Sequence, residues 1–422
     1  MKLEDIMSKV AESKALTGGI KHIIAASEHF LWPNITPFQD VIEGPGSSAR
    51  AVEILRLNKC TKALIVTDKV LVKLGVLKTM TDAMDKAGFP YAIFDGVEPN
   101  PTIENIEAAY ALYKSEGCDC AVAFGGGSSI DCAKVALCNA ARPKLSVEQL
   151  GRAMGYFPVT FAGQWKKVPF LMAIPTTAGT GSESTVAAVV SNVRTDQKIT
   201  ISDTAMRPKA VILDAALAAG LPPKATAETA LDAFCHCLEG YINRSHNPRA
   251  DEYAIRGMRL VKENIDAAYK DGKNLEARQA LCQAAYFGGQ TLNFEFTGYV
   301  HPFCHKLGAK YHLVHGRAIG SVLPIILEEY GDLTQGRLAR AGVLVGISDP
   351  NASEAEQAKQ IIAWIREYCR KFEIPEFIPE IKDEHFDEIA DSIMLEMIIY
   401  PTYAVYSREE IFAILRKIRG DK

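Results

Sequence analysis

The sequence contains no uninterrupted apolar run of about 18 residues, the length a membrane-spanning helix needs. It has no block of lysine and arginine and no basic patch interleaved with aromatics. With a net charge of −4 and a pI near 6.2, it is not expected to bind nucleic acid or another polyanion. It has no CxxC pair of the zinc-ribbon kind. Its ten cysteines include the CxC pairs Cys118/Cys120 and Cys235/Cys237, set among apolar neighbours. They read as small buried hydrophobes in a reducing compartment. The opening MKLEDIMSKV lacks the apolar core of a secretory signal, so a cytoplasmic location is expected. No internal repeat and no low-complexity segment stands out. What is present is ordinary globular composition, 48% hydrophobic and 23% charged, in 422 residues, long enough for two domains.

Apolar runs alternate with helical stretches through the first half. ALIVTD (63–68), YAIFD (91–95) and CAVAF (120–124) are read as strands, separated by helical patterns at 69–87 and 102–116. That alternation predicts a parallel sheet covered on both faces. PFLMAIP (169–175) and KAVILD (209–214) extend it, and AVVSNV (188–193) with KITIS (198–202) suggests a small hairpin. Residues 143–168, punctuated by Pro143, Gly151, Gly155, Pro158 and Gly163, read as a long surface excursion. Gly220-Leu221-Pro222-Pro223 marks a boundary between an α/β domain (1–220) and an all-helical domain (221–422). Helices are predicted at 226–243, 248–268, 274–294, 316–330, 356–372 and 407–418. Residues 1–30 form an extra N-terminal segment. Leu3, Ile6, Met7 and Val10 there have helical spacing, with Gly18 and Gly19 as the stop. It is expected to pack on the body, with a docking tag as the alternative.

Three stretches of the first half invite a nucleotide. CAVAF runs into Gly125-Gly126-Gly127-Ser128-Ser129 and then into a helix. Glycines there let backbone N–H groups approach a phosphate, and a helix N-terminus carries partial positive charge. The pattern is not GxGxxG, and a tight turn alone would also use glycines. The strand 169–175 leads into Thr176-Thr177-Ala178-Gly179-Thr180-Gly181-Ser182-Glu183, a donor-rich loop without bulk that is otherwise an ordinary polar turn. Ligands of open α/β sheets sit beyond the strands' carboxyl ends, where both loops fall. Asp68, closing the strand 63–68, is placed to accept ribose hydroxyls and repel a 2′-phosphate, favouring NAD over NADP. It equally serves as a helix N-cap.

The second half holds a dense group of imidazoles. Of nine histidines, four fall in Val300–Gly316: His301, His305, His312 and His315. His301 and His305 share one helix face, as do Asp232 and His236 in ALDAFCHCLEGY. Surface histidines and a buried Asp–His hydrogen bond are the plainer readings. Together, Asp232, His236, His301, His305 and His315 offer five groups for about four metal positions. Nitrogen and oxygen donors without thiolate suit Fe(II), Zn(II), Mn(II) or Co(II), and spacing alone does not select the ligands.

The motifs PNPT (99–102), GGGSSID (125–131), PTTAGTGSE (175–183), LDAFCHCLEGY (231–241) and the VH…H…HG segment resemble those of the iron-containing, group III alcohol dehydrogenases. That resemblance implies a dinucleotide-binding α/β domain with a parallel sheet and an all-α metal-binding domain. It implies Asp232, His236, His301 and His315 as metal ligands and His305 as the histidine beside nicotinamide and substrate. It implies Asp68, Asn100, Gly126, Gly127, Ser128, Thr176, Thr177, Thr180 and Lys198 as dinucleotide contacts. There are departures. Val314 stands where the family usually has proline before the last His-Gly. Phe294, Phe296 and Tyr299 put aromatic bulk near the expected metal, and 400–410 lacks the usual Asn-Pro-Arg.

The activity implied is NAD-dependent oxidation of small primary alcohols or diols, or reduction of aldehydes, with Fe(II) or Zn(II), in a homodimer or larger homo-oligomer. The alternatives are a polyol (glycerol-type) dehydrogenase or another NAD- and metal-using relative, and, in a different class, a metal-stabilised structural or filament-forming protein.

Overall fold

In the computed structural model, which describes residues 7, 9–30, 38–150, 167–194 and 197–421, the apolar runs of the first half become strands. They are β1 (Asp40–Glu43), β2 (Ala63–Val66), β3 (Tyr91–Phe94), β4 (Cys120–Gly125), β5 (Phe170–Pro175), β6 (Ala187–Asn192), β7 (Gln197–Ser202) and β8 (Ala210–Leu213). Six of them form one sheet in the order β1-β8-β5-β4-β2-β3, every neighbouring pair parallel. β6 and β7 make the expected antiparallel hairpin.

Parallel strands covered on both faces read as continuous apolar runs, and alternate residues of this sheet serve two cores. Leu64, Val66, Ala121, Ala123, Leu171 and Ala173 pack with Ile106, Ile130 and Val135 from the helices Ile103–Ser115 and Gly127–Ala141. Ala63, Ile65, Val122, Phe124, Met172 and Ile174 pack with Ile54, Leu55, Met80 and Met84 from Ala51–Leu57 and Lys78–Lys86. Truncating a residue such as Ile65 to alanine would cost about 2–5 kcal/mol. β2 and β4 are neighbours, yet the chain leaves them toward opposite edges of the sheet. Their carboxyl ends therefore mark the topological switch point, where open α/β sheets bind ligands.

Three local expectations fail for identifiable reasons. Strand β1 was not anticipated: DVIE is short, and only Ile42 is partly buried, so it shows no apolar run. The stretch 69–87 is two helices, Lys69–Lys73 and Lys78–Lys86, separated where Gly75 takes φ 69°. Gly18 and Gly19 do not stop a helix, because Lys14–Phe30 runs through both. A glycine inside a helix costs about 1 kcal/mol, which tertiary packing of that helix outweighs. Of the excursion expected at 143–168, residues 151–166 lie outside the described residues, as do Leu3 and Ile6 of the N-terminal pattern.

The chain divides into two units. One comprises Ile35–Pro223 and Asp266–Gly289, the sheet plus a stretch that returns to it. The other comprises Met1–Asn34, Lys224–Ile265 and Gln290–Lys422, and its regular structure is helical among the described residues. The break at Pro223 falls beside the expected boundary. The first 34 residues nevertheless belong with the helices, and 266–289 with the sheet, which a simple split of the sequence misses. No helix among the described residues is long and apolar enough to cross a membrane.

Candidate functional site

In the helical unit, three helices supply the candidate ligand side chains. Asp232 and His236 lie one turn apart on Pro223–Ile242, His301 and His305 one turn apart on Val300–Tyr311, and His315 opens His315–Tyr330. Four of the five converge. The Nε2 atoms of His236, His301 and His315 lie 3.5, 3.6 and 3.7 Å from Oδ1 of Asp232. Those separations exceed ordinary N–H···O hydrogen bonds and are nearly equal. Tetrahedral ligand atoms each about 2.1 Å from a cation stand about 3.4 Å apart, so the spacing is that of a coordination shell. Asp232 Oδ1 and His301 Nε2 are buried without a hydrogen-bond partner. Leaving such atoms unsatisfied is costly, and a cation among them removes that cost. Asp232, His236 and His301 are of the type and spacing that hold a metal ion, and the donor set of nitrogen and carboxylate oxygen fits a divalent transition metal.

These groups shift one another in different directions. Burial raises the Asp232 carboxyl, but His236, His301 and His315 outweigh it and hold the group well below its ordinary range. Burial pushes His315 well below its usual value, against the pull of Asp232. For His301, burial is overcome by Asp232 and Glu239, which raise it to about 9.

Behind this group lies a second ring that sequence reasoning did not identify. Glu239 Oε2 is 2.5 Å from His301 Nδ1, and its Oε1 accepts the Val300 N–H at 2.8 Å. Glu239 is fully buried and sits three residues after His236, on the helix face that carries Asp232. That spacing was a readable signal. Gly298 makes room for it, because a Cβ there would fall 2.5 Å from Glu239 Oε1. Gly316 lets the His315 helix approach, since its Cβ would lie 2.2 Å from the Glu228 carbonyl oxygen. The Cys235 thiol donates weakly to Glu239 Oε2 at 4.0 Å, and burial pushes it up; with Glu239 and His301 it is also of the type and spacing that hold a metal ion.

His305 stands apart from the four. Its ring stacks on that of His315 (centroids 5.5 Å apart), while Nδ1 pairs with Glu396 Oε1 at 3.2 Å. Tyr400 donates to the same oxygen at 2.9 Å. Burial raises the Glu396 carboxyl, but His305 outweighs it and holds the group below its ordinary value. Glu396 and Tyr400 were missed because neither lies in a local motif.

The aromatic departures resolve differently. Tyr299 is buried in a cluster with Tyr330 and Tyr406, and its hydroxyl accepts the Tyr406 N–H. Phe296 stacks on Tyr400. Val314 holds φ −65° and ψ 127°, a conformation that proline would impose, so the backbone entering His315 is preserved without it.

In the sheet unit, the sequence-predicted loops also meet. Gly125 takes φ 154°, its carbonyl accepts the Thr176 N–H at 3.0 Å, and Gly126 caps the helix Gly127–Ala141. A Cβ on Gly127 would lie 2.9 Å from Thr180 Cγ2, and one on Gly126 3.5 Å from Thr177 Oγ1. At Gly127 the two loops pack this closely because no Cβ is present, whereas one on Gly126 would make an ordinary contact. Beneath them, buried Lys134 donates to Ser182 Oγ and Thr185 Oγ1, and Ser182 donates to Asp131. Burial pushes Lys134 down to about 8 against the pull of Asp131.

The remaining candidates gather on these loops. Asn100, at φ 58°, donates its N–H to Ser128 Oγ at 3.1 Å, and Lys198 Nζ donates to Asn100 Oδ1 at 2.9 Å. Asp68 caps Lys69–Lys73, its Oδ1 accepting from the N–H groups of Val70 and Leu71 at 2.8 and 3.0 Å. Leu71 of that helix reaches 3.4 Å from where a Gly125 Cβ would stand, which brings the Asp68 cap to the glycine turn.

Comparison with known proteins bears on both units. Residues 39–215 match the model of iron-containing alcohol dehydrogenase, and 226–419 that of the Fe-containing alcohol dehydrogenase family, C-terminal. The chain is 32% identical over 378 residues to alcohol dehydrogenase 4 of Saccharomyces cerevisiae, covering 89% of this chain and 95% of that one. It is 32% identical over 392 residues to 1,3-propanediol dehydrogenase of Klebsiella pneumoniae, covering 92% and 98%. Among solved structures, the archaeal halo-thermophilic Red Sea brine pool alcohol dehydrogenase superposes with a TM-score of 0.83 at 28% identity, covering 90% of this chain and 97% of that one. With matches spanning both units, the chain belongs to the iron-containing alcohol dehydrogenase family.

Proposed function

We propose that this chain is an NAD-dependent, metal-dependent alcohol dehydrogenase and aldehyde reductase acting on small primary alcohols or diols. The observation that carries the reading is the convergence of three imidazole Nε2 atoms on Asp232 Oδ1. The names of the yeast and Klebsiella relatives, an alcohol and a propanediol dehydrogenase, support the substrate class.

Asp232, His236, His301 and His315 would hold the cation, Fe(II) by family or Zn(II) by donor chemistry. When bound, the cation supplies Lewis acidity at the substrate oxygen and the nicotinamide supplies the hydride carrier. Glu239 would take the Nδ1–H of His301, leaving Nε2 to the cation when it is bound. His305 is the proposed catalytic residue beside the substrate. It relays the hydroxyl proton, with Glu396 and Tyr400 steadying the ring behind it.

The sheet unit is the proposed NAD-binding domain. N–H groups of Gly126, Gly127 and Ser128 at the helix start take the pyrophosphate. The hydroxyls of Thr176, Thr177 and Thr180, with Asn100 and Lys198, line the remainder of the cofactor. Asp68 has one carboxylate oxygen in its cap, and its second oxygen is offered to the ribose hydroxyls. A cytoplasmic homodimer or larger homo-oligomer is the expected form, and light scattering measures the latter.

The test is NADH formation with ethanol, propanol and the propanediols, and its reverse with the matching aldehydes. It is run anaerobically before chelation, after it, and after adding back Fe(II) or Zn(II). Turnover that disappears with chelator and returns with metal is expected. No NAD-linked turnover across the panel with metal loaded, or full turnover without metal, would contradict the proposal.

A further inference from the structure

A second cluster of reactive groups lies at the other end of the sheet from the glycine turn. Cys120 opens β4, and Cys60 occupies the turn leading into β2, whose Ala63 is paired with Cys120. The two sulfurs lie within 4.8 Å of each other. Each thiol also makes a long contact to a backbone carbonyl, Cys60 to Asn58 at 3.8 Å and Cys120 to Lys62 at 3.5 Å. A cavity of about 390 Å³ opens beside them, with Lys59, Lys167, Lys209 and Asp119 in its wall.

The charges around the pair decide what it is suited to. Cys60, Asp119 and Cys120 are ligating types at ligating spacing. Asp119, however, already accepts from the Thr61 N–H, the Thr61 hydroxyl and the Lys62 N–H. Lys59, Lys167 and Lys209 in the cavity wall outnumber that committed carboxylate and oppose a cation there. The two sulfurs also differ. Cys60, 9% exposed, borders the cavity, and Cys120 is fully buried. The hydrogen bond with Cys120 holds the Cys60 thiol below its ordinary value, Lys209 assisting, while burial and Asp119 oppose. That same bond, with burial, pushes Cys120 up. A thiol in a cavity wall with a second thiol buried behind it is the arrangement of an attacking and a resolving cysteine.

We propose that Cys60 and Cys120 form a hydroperoxide-sensitive dithiol that closes reversibly to a disulfide. The Cys60 thiolate attacks a peroxide oxygen and the O–O bond breaks. Cys60 becomes a sulfenic acid, and hydrogen peroxide leaves its second oxygen as water. The Cys120 sulfur then attacks the Cys60 sulfur, the S–O bond breaks, and the hydroxyl departs as a second water with the Cys120 proton. Two thiols are oxidised and one peroxide is reduced, and a dithiol reductant reverses the change. Bond formation draws the sulfurs to about 2.05 Å. The turn that must yield contains Lys59, a non-glycine residue at φ 60° on the surface.

The test treats the zinc-loaded full chain with hydrogen peroxide, zinc being used to keep iron–peroxide chemistry out. Free thiols are then alkylated and the peptides mapped by mass spectrometry. The expected result is a mass loss of about 2 Da, reversed by dithiothreitol, with one linked peptide joining Cys60 to Cys120. Cys60→Ser should abolish it and leave NAD-linked turnover within about twofold, the pair being remote from the glycine turn in the sheet unit. Cys60 borders the cavity, so serine is accommodated there more readily than at the fully buried Cys120; the Tm of the variant, measured alongside, reports whether it folds. Oxidation of Cys60 to sulfinic or sulfonic acid with no linked peptide would overturn the proposal. So would linkage of other cysteines first, or a second zinc site that Cys60→Ser removes.

Discussion

The helical unit and the sheet unit build their sites from opposite materials. Around Asp232, titratable side chains from three helices meet on one oxygen, and a further carboxylate, Glu239, holds one of them from behind. Around Gly125, hardly any side-chain charge is used. Glycine backbone, threonine hydroxyls and a helix start are brought together by the absence of Cβ atoms. The first arrangement should therefore fail when a charge or a donor is altered at constant shape. The second should fail when shape is altered at constant charge.

Glu239→Gln tests the first statement with the largest expected effect. It keeps the volume and removes the charge that orients His301, so metal affinity should fall by roughly 10- to 100-fold, read by titration with a competing chelator. Gly127→Val tests the second. Its side chain collides with Thr180, and KM for NAD should rise about tenfold while metal content stays at the parent value. A Gly127→Val enzyme that binds NAD normally, or one that loses its metal, would erase the contrast.

Asp68→Asn sharpens it further. Asparagine caps a helix about as well as aspartate, so folding should be preserved. Losing the charge should ease rejection of NADP by about tenfold in kcat/KM. If the variant excludes NADP as fully as the parent, Asp68 is a cap and nothing more.

The smallest effect concerns how the N-terminal helix joins the helical unit. Lys21 is buried, donating to Thr402 Oγ1 at 2.5 Å and the Ala404 carbonyl at 3.2 Å. Burial, with Arg244 adding to it, pushes Lys21 from 10.5 down to about 7. Between those values the unfolded chain holds a proton that the folded chain lacks, so this residue's contribution to stability rises with pH across the window. Lys21→Met removes that term. Its Tm relative to the parent should be most favourable near pH 7 and decline toward pH 10, by a few degrees in all. A difference independent of pH would show that Lys21 is not neutralised on folding.

The same contrast explains what was legible in the sequence. Buried parallel strands such as ALIV and CAVAFG announce themselves because both faces are covered. Asp232, His236, His301 and His315 were legible because helical spacing concentrates a scarce residue type. The exposed strand Asp40–Glu43 was not, since a short edge strand with little burial shows no apolar pattern. The helices Gln335–Val345 and Phe386–Glu396 went unread as well. Glu396 and Tyr400 come from chain about 90 residues beyond His305, a pairing that only tertiary structure creates. The return of 266–289 to the sheet unit is likewise a property of packing, not of local pattern. His305 was seen but not separable from the ligands by spacing. What sets it apart in the structure is its contact with Glu396.

The central claim is that one divalent cation is held by Asp232, His236, His301 and His315. Its most direct test is anaerobic metal analysis of the parent and of Asp232→Asn after loading with Fe(II) or Zn(II) and desalting. The account predicts about one metal atom per chain in the parent and almost none in the variant, with NADH formation falling in step. Equal metal content in the two proteins, or alcohol oxidation unchanged in the variant, would contradict it.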